Sequence, residues 1–202
     1  MNIVGVVLAG GYSTRMGKDK SSLLLGKKTM LERAVLCMVH AGIQDIFISC
    51  RKDAPLQIGY PLLYDAFTDM GPLSGIYSAL HFTHKPCLFL PVDTPCMQAR
   101  YLTRLINIYP EKEKQGIEMI CFQSHEGVIE SLVSIFSPHA IPSLAEAIRL
   151  KIYKITKALP REKQYYIPYH DTEHSFYNVN TPKDLDEITP YIREDNQDEI
   201  SL

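Results

Sequence analysis

The chain has 202 residues, of which 46% are hydrophobic and 22% charged, and its formal net charge is −2 at pH 7. This length accommodates one sizeable domain or at most two small ones, and the charge balance excludes a strongly cationic protein that coats nucleic acid. The five cysteines include no Cys-x-x-Cys pair, which argues against disulfides or a zinc knuckle and favours a reducing compartment. The N-terminus lacks the basic start of a secretory signal, and no stretch approaches the roughly 20 apolar residues of a membrane span. We therefore expect a soluble, cytoplasmic protein with neither nucleic-acid nor membrane partners.

The first half of the chain alternates short apolar runs with helical patterns. Thr29 and Glu32 form a Thr-x-x-Glu capping box that predicts a helix start, and Gly42 is predicted to end that helix. A second helix is predicted to begin at Gly71-Pro72, because proline suits the first helical turn. The apolar runs predict four buried strands, over residues 3–8, 45–50, 62–65 and 87–93.

The second half of the chain predicts three further strands, over residues 117–122, 129–136 and 164–169. A hairpin turn at residues 124–127 makes part of the sheet antiparallel, and Thr181-Pro182 predicts a last helix start. Alternating strands and helices predict an α/β fold with a mainly parallel sheet and helices on both faces. We expect a single domain over residues 1–190, followed by a polar, acidic tail over residues 191–202.

The glycine-rich segment after the first predicted strand is the most informative part of the sequence. Gly10 and Gly11 allow the backbone to approach a ligand closely, and successive backbone N–H groups there can hold phosphate oxygens. Arg15 adds a planar, permanently charged group and Lys20 a mobile point charge. The alternative is an ordinary glycine turn with surface cations, but ligands of open α/β sheets bind at the carboxyl ends of strands, where this segment lies.

Two common phosphate-binding loops do not fit this segment. A Walker A loop requires Gly-Lys-Ser/Thr, whereas Gly17-Lys18 is followed by Asp19, which has no hydroxyl to offer to magnesium. A dinucleotide-binding loop requires Gly-x-Gly-x-x-Gly, a spacing that Gly10-Gly11 does not provide.

Two aspartates stand at the ends of predicted strands. Asp93 leaves a buried apolar run, and its hard oxygen atoms suit Mg²⁺ bound to nucleotide phosphates; alternatively, it caps a helix that starts near Pro95. Asp65 ends another strand, shortly before the predicted helix start at Gly71-Pro72. It is a candidate contact for a base or a ribose hydroxyl, or else an ordinary turn aspartate.

Four blocks in this order make the chain similar to the molybdopterin nucleotidyltransferase family, and to its molybdenum cofactor guanylyltransferases in particular. The first block is Leu-Ala-Gly-Gly-x-Ser-x-Arg-Met-Gly-x-Asp-Lys at residues 8–20, and the second is Gly-Pro-Leu-x-Gly-Ile at residues 71–76. Asp-Thr-Pro follows at residues 93–95, and Phe-x-Asn-x-Asn-Thr-Pro-x-Asp-Leu at residues 176–185. The resemblance implies a Rossmann-like three-layer sandwich of the nucleotidyltransferase type.

The resemblance also implies a reaction, in which GMP is transferred from Mg-GTP to molybdenum-bearing molybdopterin and pyrophosphate is released. Mg²⁺ would be the cofactor, held by Asp93, and molybdoenzyme chaperones or other cofactor-synthesis proteins are possible partners. Asn178 and Asn180 would line the cofactor half of the site or support the metal region, and Arg15, Lys20 and Asp93 would be catalytic. The positions that would contact GTP are Leu8, Ala9, Gly10, Gly11, Lys20, Asp65 and Asp93.

Two positions depart from the family pattern. Cys50 stands where the family usually has an asparagine that reads guanine, and a thiol cannot supply an amide's donor and acceptor pair. Glu130-Ser131 stands where the family often has His-Pro. The Gly10-Gly11 pair favours guanylyl over cytidylyl transfer, because cytidylyl relatives usually have Ala-Ala-Gly there. Cytidylyl or sugar-phosphate nucleotidyl transfer, and a non-catalytic nucleotide-binding cofactor-delivery protein, remain the alternatives.

Overall fold

A computed structural model describes residues 2–10, 20–52, 59–171 and 174–192. The strands within these residues are β1 (Val4–Leu8), β2 (Leu24–Leu25), β3 (Lys28–Thr29), β4 (Ile46–Cys50), β5 (Leu62–Tyr64), β6 (Cys87–Pro91), β7 (Met119–Ser124), β8 (Ile129–Phe136) and β9 (Gln164–Tyr169). The α-helices in the same described ranges are α1 (Met30–His40), α2 (Pro72–Thr83), α3 (Ala99–Lys114), α4 (Ile141–Arg149), α5 (Ile155–Ala158) and α6 (Pro182–Ile188).

Seven of the strands form one mixed sheet in the order β5-β4-β1-β6-β8-β7-β9. All neighbours pair in parallel except at β8, which is antiparallel to both β6 and β7. The predicted α/β fold with a mainly parallel sheet is confirmed, and so is the antiparallel part, which follows the hairpin turn at residues 124–127. Strands β2 and β3 form a separate two-stranded ribbon.

Helices cover both faces of the sheet, so that two apolar layers enclose the strands. One layer joins β1 and β4 to α1 and α3, and the other joins β6 to α2 and α4. Strand β6 is buried on both faces, as the continuous apolar run of a central parallel strand predicts. This three-layer arrangement leaves the carboxyl ends of the parallel strands at one edge of the sheet. None of the described helices has the length and apolar character needed to cross a membrane.

The helix starts predicted from the sequence are confirmed. Thr29 caps α1 through a complete capping box, in which Glu32 N donates to Thr29 Oγ1 at 3.1 Å and Thr29 N donates to Glu32 Oε2 at 2.6 Å. Helix α2 begins at Pro72 after Gly71, whose φ of 55° favours glycine. Thr181 caps α6 in the same way as Thr29 caps α1.

Two predicted strand boundaries and one predicted alternative are wrong, and the first is that β7 spans Met119–Ser124 and not residues 117–122. Strand β6 ends at Pro91, two residues before Asp93, and Asp93 lies in a turn. The next helix, α3, begins only at Ala99 with Gln98 as its N-cap. Asp93 therefore does not cap a helix near Pro95, and its carboxylate is available to bind a ligand.

Candidate active site at the carboxyl edge of the sheet

A cleft of about 660 Å³ lies at the edge where β1, β4, β5 and β6 end. We call it the edge cleft. Because these strands are parallel, the residues that follow them converge there, as expected for a ligand site of an open α/β sheet. The described residues that the sequence assigned to nucleotide binding all line this cleft, namely Leu8, Ala9, Gly10, Lys20, Asp65 and Asp93. Gly11 and Arg15 lie outside the described residues, as does the predicted tail from residue 193 onward.

Lys20 and Asp93 face each other within the edge cleft, although 73 positions separate them in the sequence. Lys20 Nζ lies 3.6 Å from Asp93 Oδ2, and it donates a hydrogen bond to Asn180 Oδ1 at 2.7 Å. The backbone of the last sequence block, at residues 176–185, is held at the same place, because Val179 N donates to Asp93 O at 2.8 Å. The hydrogen bond to Lys20 therefore places Asn180 beside the predicted catalytic pair, although Asn178 and Asn180 are both exposed and neither lines the cleft.

The Asp93 carboxylate fits the predicted metal ligand. Its Oδ1 atom is buried and accepts no hydrogen bond from the described residues, and burial raises the pKa of the Asp93 carboxyl although the Lys20 ammonium opposes this rise. A buried carboxylate oxygen without a partner is costly, and a divalent cation is a partner that it can accept. Mg²⁺ is commonly held by one or two carboxylates together with phosphates and water, so a single protein carboxylate is consistent with such a site.

Asp65 occupies the other end of the edge cleft. Ser49 Oγ donates to Asp65 Oδ1 at 2.8 Å, and Ser49 is only 2% exposed. Burial raises the pKa of the Asp65 carboxyl, while the Ser49 hydrogen bond and the positive charge of Arg51 oppose the rise. Asp65 is thus a half-buried acceptor supported from β4.

The structure changes the interpretation of position 50. Cys50 is 1% exposed and does not line the edge cleft, whereas its neighbours Ser49 and Arg51 both do. Side chains alternate between the faces of a strand, and residue 50 at the end of β4 turns to the face opposite that of Ser49. The thiol therefore does not replace a base-reading amide within the described cleft, and Ser49 is a residue that the motif comparison missed.

Leu132 is a second lining residue that the sequence did not indicate. Strand β8 shifts register opposite Cys121 and Phe122, which pair with Ser134 and Glu130 respectively. The intervening residues bulge, and bulges commonly redirect a side chain next to an active site. Leu132 lies in this bulge and lines the edge cleft.

Glu130, the other departure from the family pattern, lies on β8 and contacts a side chain of β9, the strand on the far side of β7. Tyr169 Oη donates to Glu130 Oε1 at 3.0 Å, and burial raises the pKa of the Glu130 carboxyl although this hydrogen bond opposes the rise. Tyr169 itself packs in an aromatic cluster with Tyr101, Phe122 and Phe176. These contacts explain Tyr169 as a packing group.

The family model for the MobA-like NTP transferase domain matches residues 5–163 of this sequence. The chain belongs to the MobA-like NTP transferase family. It is therefore a nucleotidyltransferase, and the matched residues include the glycine segment, Lys20, Asp65 and Asp93. The predicted enzyme class and family resemblance are confirmed.

Curated relatives of this MobA-like chain extend over nearly its whole length. A probable molybdenum cofactor guanylyltransferase of Pelotomaculum thermopropionicum is 27% identical over 92% of this chain and 91% of its own. A second, from Natranaerobius thermophilus, is 28% identical over 95% of this chain and 97% of its own. The similarity is thus not confined to the first glycine block.

Solved structures support the Rossmann-like, three-layer fold of the nucleotidyltransferase type. Molybdopterin-guanine dinucleotide biosynthesis protein A from Archaeoglobus fulgidus superposes with a TM-score of 0.78 at 25% identity, covering 93% of this chain and 97% of the other. A putative glucose-1-phosphate thymidylyltransferase from Bacillus anthracis gives a TM-score of 0.76 at 14% identity, covering 98% of each chain. The second likeness concerns the fold alone.

Proposed function

We propose that this protein transfers GMP from Mg-GTP to the terminal phosphate of molybdenum-bearing molybdopterin, forming the guanine dinucleotide cofactor and pyrophosphate. The observation that carries the proposal is the pairing of Lys20 with Asp93 in the edge cleft, where one Asp93 oxygen has no partner among the described residues. The names of the relatives, which extend over most of both chains, supply the choice of GTP and molybdopterin. The reaction takes place in the cytoplasm, and the product is passed to molybdoenzyme chaperones or other cofactor-synthesis proteins.

The two substrates are both anions, so the first task of the site is to offset their repulsion. Lys20 approaches the triphosphate as a point charge, held by Asn180 and Asp93 in one position. Gly10 brings its backbone to the edge cleft at the end of β1, where it can approach the phosphates, and Arg15 adds a second cation in the proposed arrangement. Such preorganised charges stabilise the negative charge that develops on the leaving pyrophosphate.

Asp93 would hold the magnesium ion through its unpartnered Oδ1 atom. When bound, Mg²⁺ neutralises phosphate charge and acts as a Lewis acid on the phosphoryl group. The attacking group is a phosphate oxygen that is already deprotonated near neutral pH, so the protein does not need a general base. Displacement at the α-phosphorus breaks the bond to the pyrophosphate oxygen as the new P–O bond forms.

Titration calorimetry of the protein with Mg²⁺ and each of GTP, CTP and ATP is the most direct test of nucleotide choice. We expect GTP to bind at least tenfold more tightly than CTP or ATP, a difference of about 1.4 kcal/mol. Equal binding of all three nucleotides would contradict the guanylyl assignment. Tighter binding of CTP would instead indicate cytidylyl transfer.

Pyrophosphate release in the presence of molybdopterin tests catalysis. Loss of one oriented charge in such a site typically lowers the rate by a factor on the order of 10²–10³, so we expect Asp93→Ala to abolish turnover and Lys20→Ala nearly to do so. Asp186→Ala and Lys183→Ala, which change exposed residues of α6, are matched controls that should retain the wild-type rate. Nucleotide binding by the wild-type protein without any pyrophosphate release would favour a cofactor-delivery protein over an enzyme.

A further inference from the structure

The Asp65 carboxylate is enclosed by three residues of different elements, which we call the carboxylate clamp: Gly10, Ser49 and Gly75. Ser49 Oγ, on β4, donates to Oδ1. A Cβ atom built on Gly75, in α2, would lie 2.6 Å from Ser49 Oγ and 3.3 Å from Asp65 Oδ1. A Cβ atom on Gly10, after β1, would lie 3.1 Å from Asp65 Oδ2. The two glycines therefore leave the space that the carboxylate and the hydroxyl occupy.

The clamp distinguishes the two oxygen atoms of Asp65. Oδ1 is committed to the buried Ser49 hydroxyl, and Oδ2 lies over Gly10, which lines the edge cleft. Because Ser49 is almost fully buried, it holds Oδ1 on the interior side of the carboxylate, and Oδ2 faces the cleft. The Ser49 hydroxyl thus fixes the direction from which Asp65 can accept further hydrogen bonds.

An ionised carboxylate accepts hydrogen bonds and donates none. It therefore matches a base edge that presents neighbouring donors, such as the N1–H and 2-amino groups of guanine. The corresponding edges of adenine and cytosine present a ring-nitrogen acceptor, which a fixed carboxylate repels. A carboxylate free to rotate would discriminate less, because it could turn its oxygens away from an unfavourable acceptor.

We propose that Ser49 is a positioning residue for base selectivity, whose hydroxyl holds the Asp65 carboxylate toward the donor edge of guanine. The inference rests on the proposed function and adds to it the residue that supplies selectivity in this chain. Cys50 cannot supply base selectivity, because it lies on the opposite face of β4 and does not line the edge cleft. Ser49 acts through Asp65 and does not itself need to contact the nucleotide.

The test compares Ser49→Ala with the wild-type protein by calorimetric titration of GTP, inosine triphosphate, ATP and CTP in the presence of Mg²⁺. Inosine triphosphate lacks only the 2-amino group of guanine, so its comparison with GTP reports on the donor edge. We expect Ser49→Ala to bind GTP about tenfold more weakly, as loss of a hydrogen bond to a charged group predicts. We expect its affinities for ATP and CTP to change less than twofold. The preference for GTP over inosine triphosphate should shrink, because the Asp65 carboxylate is no longer held toward the 2-amino group.

Two further variants separate positioning from packing. Ser49→Cys keeps nearly the same volume but donates weakly, and we expect its selectivity to lie between those of wild type and Ser49→Ala. Ser137→Ala removes another fully buried hydroxyl, from the residue that directly follows the last residue of β8. This variant should leave the nucleotide preferences unchanged. Thermal melts of each variant establish that the titrated protein is folded.

The outcomes are distinguishable. A Ser49→Ala variant that keeps the full wild-type preference for GTP, or that weakens all four nucleotides equally, would overturn the positioning role and leave the proposed function standing. A wild-type protein that binds the four nucleotides equally would overturn the guanylyl assignment itself.

Discussion

Replacing Gly75 with alanine tests whether the site is as tightly assembled as the distances indicate. Gly75 lies inside α2, where alanine is ordinarily the better helix former by about 1 kcal/mol. Its added methyl group, however, would lie 2.6 Å from Ser49 Oγ, 3.1 Å from Leu8 Cδ2 and 3.3 Å from Asp65 Oδ1. Ser49 lies on a strand and the Leu8 side chain is packed, so neither can move without cost. The contact with Ser49 Oγ is too short to persist, so the added methyl group must displace at least that hydroxyl.

Two opposing contributions set the change in the free energy of unfolding of Gly75→Ala. Overpacking of a filled interior costs about 1–3 kcal/mol, against which the gain in helix propensity is about 1 kcal/mol. We therefore expect Gly75→Ala to lower the free energy of unfolding by about 0–2 kcal/mol, or Tm by at most about 8 °C for a chain of this size. The effect on GTP affinity should be easier to measure than the effect on Tm. Displacing Ser49 breaks its hydrogen bond to Asp65, and this loss should weaken GTP binding about tenfold.

Thermal unfolding and calorimetric titration with Mg-GTP, carried out on the same preparations, give both quantities. Gly59→Ala is the matched control, since a Cβ atom there meets no atom within 4 Å, and it should change neither quantity appreciably. A Gly75→Ala protein that is about 1 kcal/mol more stable than wild type and binds GTP normally would refute the reasoning, because the helix would then have absorbed the methyl group without disturbing Ser49.

Three other predictions follow from the charges and caps. Asp93→Asn removes a charge that burial disfavours, so it should raise Tm of the nucleotide-free protein at pH 7.5 while abolishing pyrophosphate release; the gain should shrink as the pH falls and the wild-type carboxyl becomes protonated. GTP affinity should fall as the pH is lowered, starting above the range of an ordinary aspartate because burial raises the pKa of Asp65, and calorimetry of Asp65→Asn should show a weaker fall, since Asp93, whose pKa burial also raises, still titrates in that variant. Thr29→Ala should cost about 1 kcal/mol in thermal unfolding through loss of the α1 cap and leave GTP affinity unchanged.

The parts of the fold that the sequence predicts are those governed by local patterns. Continuous apolar runs predict β1, β4 and β6 because buried parallel strands need apolar side chains on both faces, whereas β5 is a short edge strand whose Tyr64 is exposed. Capping residues predict the starts of α1, α2 and α6 because their hydrogen bonds lie within one helical turn. Gly10 and Asp93 could be assigned to one edge for a related reason, since parallel strands bring their carboxyl ends together.

The parts that the sequence does not predict depend on which face a side chain occupies. Position 50 attracts attention in a motif comparison, yet the alternation of β4 places Ser49 in the edge cleft and turns Cys50 away from it. The bulge that brings Leu132 to the cleft arises from pairing between β7 and β8, and no local signal specifies that register. The same limitation explains why Asp93 could be mistaken for a helix cap before the start of α3 at Ala99 was known.

Two carboxylates with raised pKa values at one edge of a sheet connect the stability of this protein to its proposed chemistry. Burial raises the pKa of both Asp65 and Asp93, so ionising either carboxyl costs more free energy in the folded chain than in the unfolded chain. A ligand that brings hydrogen-bond donors to Asp65 and a divalent cation to Asp93 removes that cost while it binds. Mg-GTP should therefore raise Tm by more than either Mg²⁺ or GTP alone, since ligands that bind only the folded state stabilise it. This coupling should be lost in Asp93→Asn, because the variant has no buried charge for the cation to neutralise.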